Sequence, residues 1–166
     1  MVNLGRLLRN LTYMPWQTRR AFNTKVKDSI AQAVRDSERR HSGEIRFVVE
    51  GGLDFSKVWQ GMSARDRALE IFSETRVWDT EHNNGVLIYV LLADRNVEII
   101  ADRGINALVA PHGWEEVCRV MEQAYAEGDF ERGSLEGIRL VSEHLSRHFP
   151  PREGDINELP DAPVLK

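Results

Sequence analysis

The chain has 166 residues, 42% of them hydrophobic and 29% charged, which is enough for one domain with its own core and excludes wholesale disorder. The net charge is −4, yet residues 1–27 carry Arg6, Arg9, Arg19, Arg20, Lys25 and Lys27 and no acid, leaving −10 on the remainder. An acidic body excludes a general nucleic-acid binder, and the single cysteine, Cys118, excludes an internal disulfide and a cysteine-based zinc site.

No stretch approaches the roughly 20 apolar residues of a membrane-spanning helix. Arg6 and Arg9 interrupt any apolar leader of the secretory type, so the expected compartment is the cytoplasm. Residues 1–17 place Leu4, Leu7, Leu8 and Leu11 at helical spacing and form a basic amphipathic arm. Packing on the body is the simpler expectation. Peripheral contact with a membrane surface or a protein partner through residues 1–20 is the sharper one.

Pro15 is expected to stop the arm, and Phe22, Val26, Ile30, Ala33 and Val34 predict one helix from about Thr18 to Arg40. Gly43 ends it. Residues 44–50, EIRFVVE, alternate at first and then turn apolar, predicting a strand that Gly51–Gly52 breaks. Ser63 and Asp66 resemble a capping box for a helix reaching about Arg76. A loop from Val77 to Asn84 leads into the apolar run Val86–Leu92, which with Val97–Asp102 predicts a hairpin.

Pro111 and Gly113 mark the next helix, whose apolar face takes in Cys118 as a packing residue. Gly128 ends it, and Asp129 caps a last helix that stops at Pro150–Pro151. His144 and His148 lie four apart, but their place in the last turn is accounted for by the helix C-terminus. Residues 151–166, with further prolines and few apolar residues, are expected to be a flexible tail behind a domain spanning 18–150. This order predicts an α/β fold: a three-layer α/β/α sandwich with a small mixed sheet and helices on both faces.

Neither a glycine-rich phosphate loop nor a Gly-x-Ser-x-Gly elbow is present. Glu50, Asp54, Asp79, Glu81 and Asp102 all fall near predicted strand ends. In an antiparallel hairpin the start of the second strand meets the end of the third. Asp79, Asn83, Asn84, Asp102 and Arg103 can therefore share one edge, supplying oxygens for a hard cation such as Ca²⁺ and a positive charge for an anion. The alternative is that they are solvated turn residues chosen for turn geometry.

Four short patterns together resemble the TPM domain family. They are Asn83–Asn84–Gly85–Val86–Leu87–Ile88, Asp94–Arg95, Asp102–Arg103–Gly104–Ile105 and Glu127–Gly128–Asp129–Phe130. The resemblance spans about residues 25–148 and implies the same α/β/α sandwich. It further implies divalent-cation binding in some members, a proposed acid-phosphatase activity in plant relatives, and roles beside membrane-protein complexes in others. Two positions depart from the pattern: Asn83 replaces the usual Asp, and Asp102 replaces the first glycine of Gly-x-Gly. The leading expectation is a non-catalytic binding module using Ca²⁺ at the Asp79–Asn84/Asp102 edge. The rival is a metal-assisted phosphatase at that edge, with Arg103 steadying phosphate.

Overall fold

The computed structural model describes residues 3–166, so the first two residues of the arm lie outside it. The arm is a helix, α1 (Leu4–Thr12), and Pro15 opens a second short helix, α2 (Pro15–Ala21), instead of only stopping the first. Proline suits a first helical position because its missing N–H has no partner there in any case. The long helix expected over 18–40 is broken at Phe22–Asn23. Asn23 accepts the N–H of Val26 at 3.1 Å and so caps α3 (Thr24–Glu38).

Strand β1 (Glu44–Glu50) follows, then a five-residue helix without a sequence signal, α4 (Phe55–Trp59), and α5 (Ala64–Glu74). The capping box is present: Ser63 Oγ accepts the Asp66 N–H, and Asp66 Oδ2 accepts the Ser63 N–H, both at 3.0 Å. The hairpin is β2 (Gly85–Leu91) and β3 (Asn96–Ala101), antiparallel, with Val86 opposite Ala101 and Leu91 opposite Asn96. One turn of helix, α6 (Arg103–Asn106), precedes α7 (Pro111–Ala126) and α8 (Phe130–His148). Gly128, at φ +81°, makes the break between the last two, and Asp129 accepts the Arg132 N–H at 3.0 Å.

β1 pairs in parallel with β2, and a short fourth strand, β4 (Val164–Leu165), pairs in parallel with β1, giving the order β3-β2-β1-β4. Side chains alternate across this sheet. Ile45, Phe47, Val49, Val86, Ile88 and Ile99 face α3, α7 and α8. Val48, Leu87, Tyr89 and Ile100 face Leu7 of α1, Val58 of α4 and Ala68 and Ile71 of α5. The result is the expected α/β/α arrangement with helices on both faces of a mixed sheet.

The tail requires correction. The alternation in β1 puts Glu44 and Arg46 on the second face, where they are buried. Buried charges need partners, and residues 158–166 provide them. The Glu44 carboxylate accepts the N–H groups of Glu158 and Leu159, each at 3.1 Å. Arg46 donates to the carbonyls of Pro160 (2.7 Å) and Ala162 (3.0 Å). Residues 158–166 are thus fastened to β1, and Leu159 enters the core.

Candidate functional site

The expected edge forms at the mouth of the hairpin, where β2 begins and β3 ends. The Asp102 N–H donates to the Gly85 carbonyl at 2.9 Å, continuing the ladder by one pair. Beyond it the chain turns into α6, with Asp102 Oδ1 accepting the Arg103 N–H at 2.7 Å. Gly104 then lies against the backbone carbonyls of His82 and Asn83, so close that a Cβ would overlap both. Glycine is required by that approach, and the approach is what holds loop 82–84 against turn 102–104.

Each member of the predicted set now has a place. Asn83 has φ +52°, a left-handed conformation that asparagine tolerates better than most residues, so turn geometry accounts for its identity. Asn84 is completely buried. Its side-chain amide donates to the Ser42 carbonyl at 2.9 Å, and its backbone N–H donates to Thr80 Oγ1 at 3.2 Å. The other side-chain atom, Asn84 Oδ1, has no hydrogen-bond partner. Asp102 Oδ2 is also buried and unpartnered. Buried polar atoms without partners are rare, and each costs about 1–3 kcal/mol. Arg103 is exposed and makes no side-chain ion pair or hydrogen bond among the described residues. Asp79 is half exposed and turned to Arg76, its ion-pair partner at 3.3 Å.

Sequence reasoning missed the third wall of this mouth, the turn between α3 and β1. Gly43 packs on the Asn84 carbonyl, and His41 bonds through Nδ1 to the Gly43 carbonyl at 3.0 Å. Burial holds the His41 imidazole down to about 4, so it is neutral near pH 7, and its Nε2 is unpartnered, as is Ser42 Oγ. Nothing in a His-Ser-Gly tripeptide marks it as a neighbour of residue 84; parallel pairing of β1 with β2 puts it there.

Of the other carboxylates near strand ends, Glu50 is committed elsewhere, while Asp54 and Glu81 lie exposed. Glu50, at the opposite end of β1, accepts both Arg67 Nε (2.9 Å) and Nη2 (3.0 Å), and the Tyr89 hydroxyl at 2.7 Å. Cys118 packs on the core, and burial pushes its thiol up to about 12, which removes it as a nucleophile. His144 lies against Trp114 with ring centroids 5.1 Å apart. Among the described residues no three His, Cys, Asp or Glu side chains gather as a metal cluster. A cation at the hairpin mouth would therefore depend on neutral oxygens beside one carboxylate.

An α/β/α sandwich with a polar hairpin mouth of this kind defines a class, and comparison with known proteins gives the family. The TPM domain model matches residues 17–144, so the chain belongs to the TPM domain family. The NMR structure of BA42 protein from the psychrophilic bacterium Bizionia argentinensis is similar at 30% identity, covering 87% of this chain and 94% of that one, with a TM-score of 0.76. The N-terminal domain of a protein from P. gingivalis shares the fold at 18% identity, covering 79% and 82% of the two chains, with a TM-score of 0.60. No curated protein matches the chain.

Proposed function

We propose that the protein is a non-catalytic binding module whose hairpin mouth takes a divalent cation of the calcium type. The observation that carries this reading is the pair of buried, unpartnered oxygens, Asn84 Oδ1 and Asp102 Oδ2, on the two segments that Gly104 holds together. Hard cations take carboxylate, amide and carbonyl oxygens, which is the donor set here. With one buried carboxylate, the expected affinity is weak, on the order of 10⁻⁴–10⁻³ M. Asp79 would add a second charge only by leaving Arg76. Such a module, having no chemistry of its own, suits an accessory role beside membrane-protein complexes.

Ca²⁺ titration followed by NMR tests the reading. Saturable shifts in residues 82–85 and 102–105 that Asp102→Asn abolishes are expected; a spectrum that does not move would rule the site out.

The exposed guanidinium of Arg103 beside Asp102 favours one second reading, a metal-assisted phosphatase at the same edge. There the cation would polarise a phosphate that Arg103 steadies. Metal-dependent phosphate-ester hydrolysis lost in both Asp102→Asn and Arg103→Ala would establish it. Equal rates in wild type and variants would dismiss it.

A further inference from the structure

Helix α1 is fixed with Leu4, Leu8 and Leu11 outward. Its inner face is held by Arg6 Nε donating to Asp94 Oδ2 at 2.8 Å and Asn10 Nδ2 donating to Asp94 Oδ1 at 2.9 Å. Asn10 Oδ1 in turn accepts the Leu53 N–H at 2.8 Å, and Leu7 is buried. The Asn10 carbonyl also sits so close to Gly52 that a Cβ there would meet it at 2.8 Å. These hydrogen bonds, made to residues 43 to 88 positions away in sequence, together with the Gly52 contact hold the other face of the helix outward.

That other face carries Leu4, Leu8 and Leu11, a stripe at steps of four and three, each 47–67% exposed. Met14, at the N-cap of α2, and Trp16 on that helix are exposed as well, Trp16 at 60%. On α4, against which α1 packs, Phe55 and Trp59 are stacked at 5.6 Å and are both at least half exposed. This many exposed large apolar side chains on α1, α2 and the helix packed against α1 mark an interaction site.

Charge selects the occupant. Arg9, Arg19 and Arg20 flank the stripe, are exposed, and make no ion pair among the described residues, and there is no acid before Asp28. The remainder of the chain beyond residue 27 carries −10. An anionic surface would attract these unpaired arginines and repel the acidic remainder, which favours an orientation with α1 and α2 toward it. Leucine and tryptophan on one side with arginine around them is the composition of helices that lie in a bilayer interface. No described helix is long and apolar enough to cross a membrane.

We propose that α1 and α2 form a docking surface for an anionic phospholipid bilayer, with the leucine stripe and Trp16 entering the headgroup region and Arg9, Arg19 and Arg20 meeting lipid phosphates. This surface is independent of the hairpin mouth.

Co-sedimentation of the full chain with vesicles tests it, comparing phosphatidylcholine alone with phosphatidylcholine containing phosphatidylglycerol. Binding to the anionic vesicles is expected to exceed binding to the neutral ones by about ten-fold or more and to weaken as salt screens the arginines. Leu8→Glu/Leu11→Glu and Arg19→Glu/Arg20→Glu should each reduce it about ten-fold with unchanged circular dichroism, because all four side chains are exposed. Absence of binding to anionic vesicles, equal binding to neutral ones, or binding unchanged in folded variants would overturn the proposal. A wild-type dimer that Leu8→Glu/Leu11→Glu dissolves, with vesicles left unbound, would assign the surface to a second copy instead.

Discussion

Gly104 touches the backbone carbonyl of Asn83 across the hairpin mouth, at a separation no other residue permits. Gly104→Ala must push loop 82–84 away from turn 102–104. A thermal or denaturant melt is expected to show a loss of about 1–3 kcal/mol, the usual range for overpacking. Ca²⁺-dependent shifts should vanish in the same variant even where it remains folded. A variant that keeps both stability and shifts would show that this contact does not shape the mouth.

Asn83 has a left-handed backbone that accommodates aspartate as well. Asn83→Asp adds one negative charge in the residue next to Asn84, whose Oδ1 has no partner. Cation affinity is expected to rise about ten-fold, since ligand charge count tunes such sites. Calorimetry or NMR titration measures it. Unchanged affinity would place the cation, if any, away from residue 83.

The Glu50–Arg67–Tyr89 cluster is structural and should behave so. Arg67→Ala leaves the buried Glu50 carboxylate with only the Tyr89 hydroxyl, and a loss of about 3–5 kcal/mol is expected. Tyr89→Phe removes one hydrogen bond from a carboxylate that keeps both Arg67 contacts, and should cost only about 1–2 kcal/mol. Urea melts of the two variants give the comparison, and equal losses would contradict it.

Two glutamates near the tail, Glu38 half-buried and Glu44 buried, make stability fall on the alkaline side. Burial, with Glu44 and Asp161 nearby, raises Glu38 from 4.5 to about 9. Burial also raises Glu44 to about 7, outweighing the N–H groups of Glu158 and Leu159. A carboxyl group raised in the folded state binds more protons there than in the unfolded chain. Its contribution is complete below 4.5 and is lost as pH climbs through about 7 and then about 9. His41 acts in the opposite direction: its value is lowered from 6.5 to about 4, so its contribution is lost as pH falls through that window. Glu38→Gln should flatten the alkaline arm of a stability-versus-pH curve and leave the acid arm intact. An unaltered alkaline arm would mean that Glu38 ionises freely.

Removing residues 158–166 strips partners from Glu44 and Arg46 while leaving both on β1. A loss of at least about 3 kcal/mol is expected in a chemical melt, as for a buried charge left alone. A truncated chain as stable as the full one would show that water replaces the tail without penalty.

The sequence by itself determined the hairpin, the capping box at Ser63 and the helix break at Gly128, because each rests on contacts within a few residues, and the order of helices and strands implied the α/β/α layers. It also put Asn84 and Asp102 at one edge, since antiparallel pairing follows from a short connection between two apolar runs. Only the tertiary structure decided the rest. The sheet gained a fourth strand because charges on β1 call for partners more than 100 residues away, and composition alone made that segment look loose. His41 and Ser42 joined the mouth through parallel pairing, which carries no local signal. Leu4, Leu8 and Leu11 of α1 face outward because Asp94 and Leu53 hold the Arg6–Asn10 side inward, although helical periodicity allows either orientation. That Asn84 Oδ1 and Asp102 Oδ2 are buried without partners was likewise settled by tertiary packing, because burial by distant segments leaves no pattern in the local sequence.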